Sequence, residues 1–162
     1  MDNRLKLIHN KASHSSGIAC EGCPTPCCPT GNKEGTYMLL LPKEREYMKE
    51  VGCSFEGSVE TFTASNGVVL EFVENCPWLK DGWMCTIYQH RPLDCRTFPR
   101  IVTLDKAQLR FGEVPERCPS VGDLRQEHYE GVRAAWKLWF ETTNPPIEWF
   151  EAVEELDKQK NI

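Results

Sequence analysis

The sequence predicts a small single domain of the α+β class with irregular cysteine-rich loops, and three observations carry that reading. An Asn66-Gly67 pair sits between two strand-like runs, and a residue pair that tolerates positive φ at this position favours a tight hairpin. Residues 20–35 hold four cysteines, three prolines and three glycines, and residues 76–99 repeat the character with Cys76, Cys85 and Cys95. Neither segment can be a long regular helix or strand. Beyond residue 120 the pattern changes to helical spacing, with Leu124, His128, Val132, Ala135 and Trp139 on one face.

The elements follow in order. Residues 1–19 are polar and form a loosely ordered N-terminal segment or a short helix. Residues 20–120 make the cysteine-rich body, and residues 121–162 are C-terminal helices packed on the same domain. Thr36–Leu41 reads as a short buried strand. Pro42 opens a helix over Lys43–Val51, and Gly52 stops it. Gly57–Thr63 and Val68–Val73 are the strands of the Asn66-Gly67 hairpin. In the second cysteine loop Asp81-Gly82 marks a turn. A further hairpin spans Arg100–Leu104 and Gln108–Gly112, turning at Asp105-Lys106. Asp123–Thr142 is one long helix. Asn144 then caps a last helix that begins with Pro145-Pro146, runs to about Lys158, and lines one side with Ile147, Phe150 and Val153.

Composition narrows the function. The chain of 162 residues is long enough to bury a core without crosslinks. Its net charge of −5 argues against nucleic-acid or anionic-membrane partners, which call for basic surfaces. No stretch approaches the ~18 apolar residues of a membrane span. The N-terminal residues lack a secretory h-region, so a reducing cytoplasmic location is expected. Nine cysteines in such a chain then point to metal ligation, and an odd count fits complete disulfide pairing poorly.

The thiols fall into two groups once Cys53 is set aside. Cys53 follows the helix-ending Gly52 and reads as a small core residue. The first group is Cys20, Cys23, Cys27 and Cys28. Thiolates a few residues apart on a tight turn converge on one ion, whereas the adjacent Cys27-Cys28 pair suits a cluster or two neighbouring ions better than one tetrahedral site. The second group is Cys76, Cys85, Cys95 and Cys118. Eight thiolates would complete two four-sulfur sites, or one cluster and one structural ion. Thiolate donors suit iron–sulfur clusters and zinc alike, and the adjacent Cys27-Cys28 pair tilts the choice slightly toward iron–sulfur over zinc or iron ions. Arg91 and Arg96 are placed to offset the negative charge or donate to sulfur. Tyr88, with Trp78, Trp83 and Phe98, could exclude water. His90 and His14 are weaker ligand candidates. His128, Trp136, Trp139 and Trp149 read as packed helix residues, and the acidic run from Glu151 to Asp157 reads as a solvated face.

Residues Cys76, Cys85, Ile87, Tyr88, Arg91, Pro92, Cys95, Arg96, Phe98 and Pro99, following the Cys-Cys cluster, resemble the CxxCxxCC-type zinc- or iron-chelating family of YkgJ-like cysteine-cluster proteins. The likeness covers about residues 20–120. It departs at the first block, where three residues rather than two separate Cys23 from Cys27, and which of the first four cysteines share an ion stays open. The resemblance implies metal binding and leaves the reaction undefined. A flagellin lysine methylase with a similar cysteine block implies that some relatives are enzymes, so redox or group-transfer chemistry at the metal is the alternative function.

Overall fold

The computed structural model describes residues 37–81, 84–98, 100–105, 108–113 and 126–160. The N-terminal segment, the first cysteine loop, Trp83, Pro99, Cys118 and Leu124 lie outside the described residues, as does Lys106 of the expected Asp105-Lys106 turn. In chain order the elements are β1 (Met38–Leu40), α1 (Glu44–Glu50), β2 (Glu60–Thr63), β3 (Val69–Val73), β4 (Leu79–Lys80), β5 (Met84–Cys85) and a 3-10 turn (Tyr88–His90). They continue with α2 (Leu93–Thr97), β6 (Arg100–Asp105), β7 (Gln108–Glu113), α3 (Gln126–Thr143) and α4 (Ile147–Gln159). Helices and small antiparallel sheets together make the α+β class that the sequence predicts. Of the described residues, those up to His90 and those from Pro145 onward form one compact unit, and those from Arg91 to Asn144 form the other.

The first unit is built on an antiparallel sheet of order β1-β3-β2, with Leu39 opposite Phe72 and Phe62 opposite Leu70. Met38, Leu40, Leu70, Phe72 and Val73 are buried with Met48 and Phe55. The expected hairpin is present with a three-residue loop. Ala64 N–H donates to Val68 O and Gly67 N–H to Ala64 O, both at 2.9 Å, and Gly67 stands at φ +85°, a conformation that favours glycine. Helix α1 ends as its sequence requires. Gly52 at φ +76° lets its N–H reach Lys49 O and the next N–H, of Cys53, reach Met48 O at 2.8 Å, satisfying two terminal carbonyls. At its start the buried Glu44 carboxylate accepts the Leu41 N–H at 3.1 Å.

Helix α4 is fastened to this sheet by polar bonds at several points. Ser65 donates its N–H and its hydroxyl to Glu155, and Asn66 Nδ2 donates to Glu148 O at 2.8 Å. The Ser65 hydroxyl and N–H hold the Glu155 carboxyl below its usual range. Lys160 pairs with Glu74 and lies 4.9 Å over the Phe72 ring. The buried face of α4 is Trp149, Ala152 and Leu156, which corrects the expected stripe: Ile147 is 53% exposed, and Phe150 and Val153 are only half-buried. Ile147 opens the helix at its first turn, whereas Trp149 supplies the larger surface to bury.

Tyr37 donates its hydroxyl to Asp157 of α4. Burial pushes the Asp157 carboxyl above the ordinary value of 3.8. The Tyr37 hydrogen bond opposes that rise, and the Glu154 charge adds to it. The folded state therefore favours the acid form. The stability from this group is whole below the unfolded value near 3.8 and is lost as pH rises through the higher folded value. Asp157→Asn keeps an acceptor for Tyr37 without the charge. It should flatten that decline and raise neutral-pH stability by at most about 1 kcal/mol, since the group is partly solvated. Urea midpoints measured from about pH 4 to 7 check this, and an unaltered slope would count against it.

In the second unit β6 and β7 form a ribbon from Arg100 opposite Glu113 to Asp105 opposite Gln108. Phe111 of the ribbon meets Tyr129 of α3 edge to face at 6.2 Å. Helix α3 buries His128, Val132, Ala135, Trp136 and Trp139, the face that its periodicity predicts. Asn144 is a correction: it stands at φ +42° and donates its N–H to Phe140 O at 2.8 Å, so it closes α3 rather than capping α4. The position before α4 is Pro146, with no side-chain cap.

Candidate metal centre

The segment from Cys76 to His90 is more regular than its composition suggests. Leu79 lies opposite Cys85 in the β4-β5 hairpin, and Thr86 donates both its N–H and its hydroxyl to Trp78 O at 2.9 Å. The turn at Asp81 takes a left-handed φ of +55°. Leu79 N–H reaches back to Cys76 O at 3.4 Å. This hairpin brings Cys76 and Cys85, nine positions apart in sequence, onto the same small backbone frame. Trp78 ties the frame down by donating Nε1 to Ser54 O at 3.0 Å. Both cysteines are half-buried. After Cys85, Ile87 turns inward and accepts the His90 N–H, while Tyr88 is 36% exposed and His90 faces solvent. Tyr88 is therefore an exposed phenol on the 3-10 turn rather than a buried lid.

Cys95 belongs to the second unit and lies on a helix, where the sequence suggests only a loop. Pro92 precedes the first helical residue of α2, Leu93, and Arg96 N–H bonds Pro92 O at 3.0 Å. The two arginines brace this helix through the backbone. Arg96, only 4% exposed, donates Nε to Arg91 O at 2.6 Å, and Arg91 Nη1 reaches Cys95 O at 3.5 Å. Thr97 donates its hydroxyl to Leu93 O at 2.8 Å and accepts the Trp136 indole N–H at 2.7 Å. His128, 2% exposed, has Nε2 3.0 Å from Arg96 O. A carbonyl only accepts, so Nε2 carries the proton. His128 is thus the satisfied core histidine that the sequence suggests.

Cys53 behaves differently from these three. It is 7% exposed, its Sγ lies 3.7 Å from Val51 O, and burial pushes its thiol pKa up. A protonated, enclosed thiol is a core residue and a poor ligand. Cys76, Cys85 and Cys95 are half-buried, an exposure that leaves their thiols within reach of a ligand. Among the described residues no three His, Cys, Asp or Glu side chains gather as a metal-holding group. Cys20, Cys23, Cys27, Cys28 and Cys118 lie outside those residues.

Sequence reasoning missed Thr97, whose bond to Trp136 spans 39 positions. The available signal was a tryptophan on a buried helix face, since an enclosed indole N–H requires an acceptor.

No curated protein and no solved structure matches the chain. One family model does, over residues 19–119: CxxCxxCC, described as "Putative zinc- or iron-chelating domain".

Proposed function

Given that this chain belongs to the CxxCxxCC family of zinc- or iron-chelating domains, we propose that Cys20, Cys23, Cys27, Cys28, Cys76, Cys85, Cys95 and Cys118 hold an iron–sulfur centre. The observation that carries the reading is the contrast among the described cysteines. Cys76, Cys85 and Cys95 are half-buried on fastened backbone, and Cys53, outside the motif, is sealed in the core. The adjacent Cys27-Cys28 pair favours a cluster over a single ion. Arg91 and Arg96 supply positive charge beside the Cys95 segment, where several thiolates would leave net negative charge, and exposed Tyr88 lies three residues after Cys85. A cytoplasmic, reducing location keeps such thiols available. The partners are metal ions, and the acidic net charge of −5 disfavours nucleic acid and anionic membrane. None of the described helices is long and apolar enough to cross a membrane.

Anaerobic purification followed by metal and acid-labile sulfide analysis tests this. Iron with matching sulfide and broad visible absorbance is expected. A colourless protein with stoichiometric zinc would replace the cluster with zinc sites on the same thiols. A second reading, catalysis at the centre, draws on the exposure of Tyr88 and His90. It requires an open coordination position. A cobalt-loaded protein whose spectrum ignores added azide would remove it.

A further inference from the structure

We infer that Thr97 is a positioning residue for the Cys95 thiolate, holding it in metal-binding pose through the Trp136 indole with His128 as the second anchor. The inference rests on the reading of Cys95 as a ligand and adds what sets its affinity.

Helix α2 has five residues, too few to stay helical on their own, and no side chain caps its start. Its pose comes from elsewhere. The two residues that follow Cys95 are both fastened to α3: Arg96 through its carbonyl to His128 and Thr97 through its hydroxyl to Trp136. The Thr97 hydroxyl also donates to Leu93 O, so one oxygen links the indole to the first residue of α2. Thr97 is 2% exposed and Trp136 6%, and water does not readily replace either partner. Hydrogen bonds in such a chain strengthen one another, and breaking one leaves an enclosed donor unmatched. Metal–thiolate distances in well-formed sites fall within about 0.2 Å of their ideal values. A shift of α2 on α3 therefore distorts the geometry at Sγ and weakens the bond.

The test uses the full chain and zinc competed against a chelator. Thr97→Val preserves shape and removes the hydroxyl, and it should weaken zinc binding about 10- to 100-fold, the range for groups that orient metal ligands. Thr97→Ser keeps the hydroxyl and should stay close to wild type. In cobalt-loaded protein, Thr97→Val should also shift the thiolate charge-transfer bands at equal loading, which a general loss of stability would not do. If Thr97→Val does not fold, Trp136→Phe removes the donor while keeping a ring and should give a smaller loss in the same direction. Unchanged affinity and spectrum in Thr97→Val, or in Trp136→Phe where that variant stands in, would overturn the inference. So would Thr97→Ser losing affinity as severely as Thr97→Val. Cys95→Ser separates the two levels. Full metal retention there would remove Cys95 as a ligand, whereas metal loss there beside a silent Thr97→Val would remove only the positioning role.

Discussion

Cys95→Ser and Cys85→Ser should each lose about half of the bound metal or more, while Cys53→Ala keeps all of it. Serine is a far weaker donor than a thiolate, and a site built for four sulfurs does not hold its ion well on three. If the eight thiols form two sites, one substitution empties one of them. If they form one cluster and one structural ion, one substitution empties whichever of the two it serves. Cys53 is enclosed and protonated, so its removal touches no ligand. Ligation and folding are coupled, so the same variants, and chelated wild type, should show faster hydrogen exchange in residues 76–98. Elemental analysis of each purified variant reads the first effect. Full metal retention in both serine variants would defeat the assignment of the second cysteine group.

Trp139→Ala should cost about 3–5 kcal/mol of stability, the usual toll for emptying a large buried aromatic site. Trp139 is fully buried and meets Trp136 edge to face at 5.6 Å. A domain of ordinary stability has roughly 5–15 kcal/mol in total, so the variant should approach or cross the unfolding threshold. Urea denaturation followed by far-ultraviolet dichroism measures it. A loss under about 1 kcal/mol would show that α3 contributes little to the fold. The contrast with Thr97→Val is useful, because one empties volume and the other removes a single oxygen.

Features written in local sequence were the legible ones. Gly52 and Gly67 take backbone conformations that few residues other than glycine adopt, and both turns form where the sequence puts them. The α3 stripe repeats over about three turns, long enough for its period to identify the buried face. The short elements were not legible. The β4-β5 hairpin has two residues per strand, and α2 has five residues. Neither could be stable alone. The first depends on Trp78 reaching Ser54 and the second on Trp136 reaching Thr97, partners 24 and 39 positions away. The face of α4 was misread because it carries two apolar stripes, and packing chose between them. Asn144 was misread because a left-handed residue between two helices can serve either one, and here its N–H goes to Phe140. At the site, the motif gives the residue types and their order, and the hydrogen bonds give the support behind Cys95.

The enclosure of Cys53 makes it an internal clock for the molecule. Alkylating reagents attack thiolate, and burial both covers most of Cys53 and raises its thiol pKa, which slows them. Its labelling should therefore wait for transient opening of the surrounding structure. In protein whose other cysteines are occupied by metal, the rate at which that one sulfur is tagged becomes a count of how often the interior comes apart.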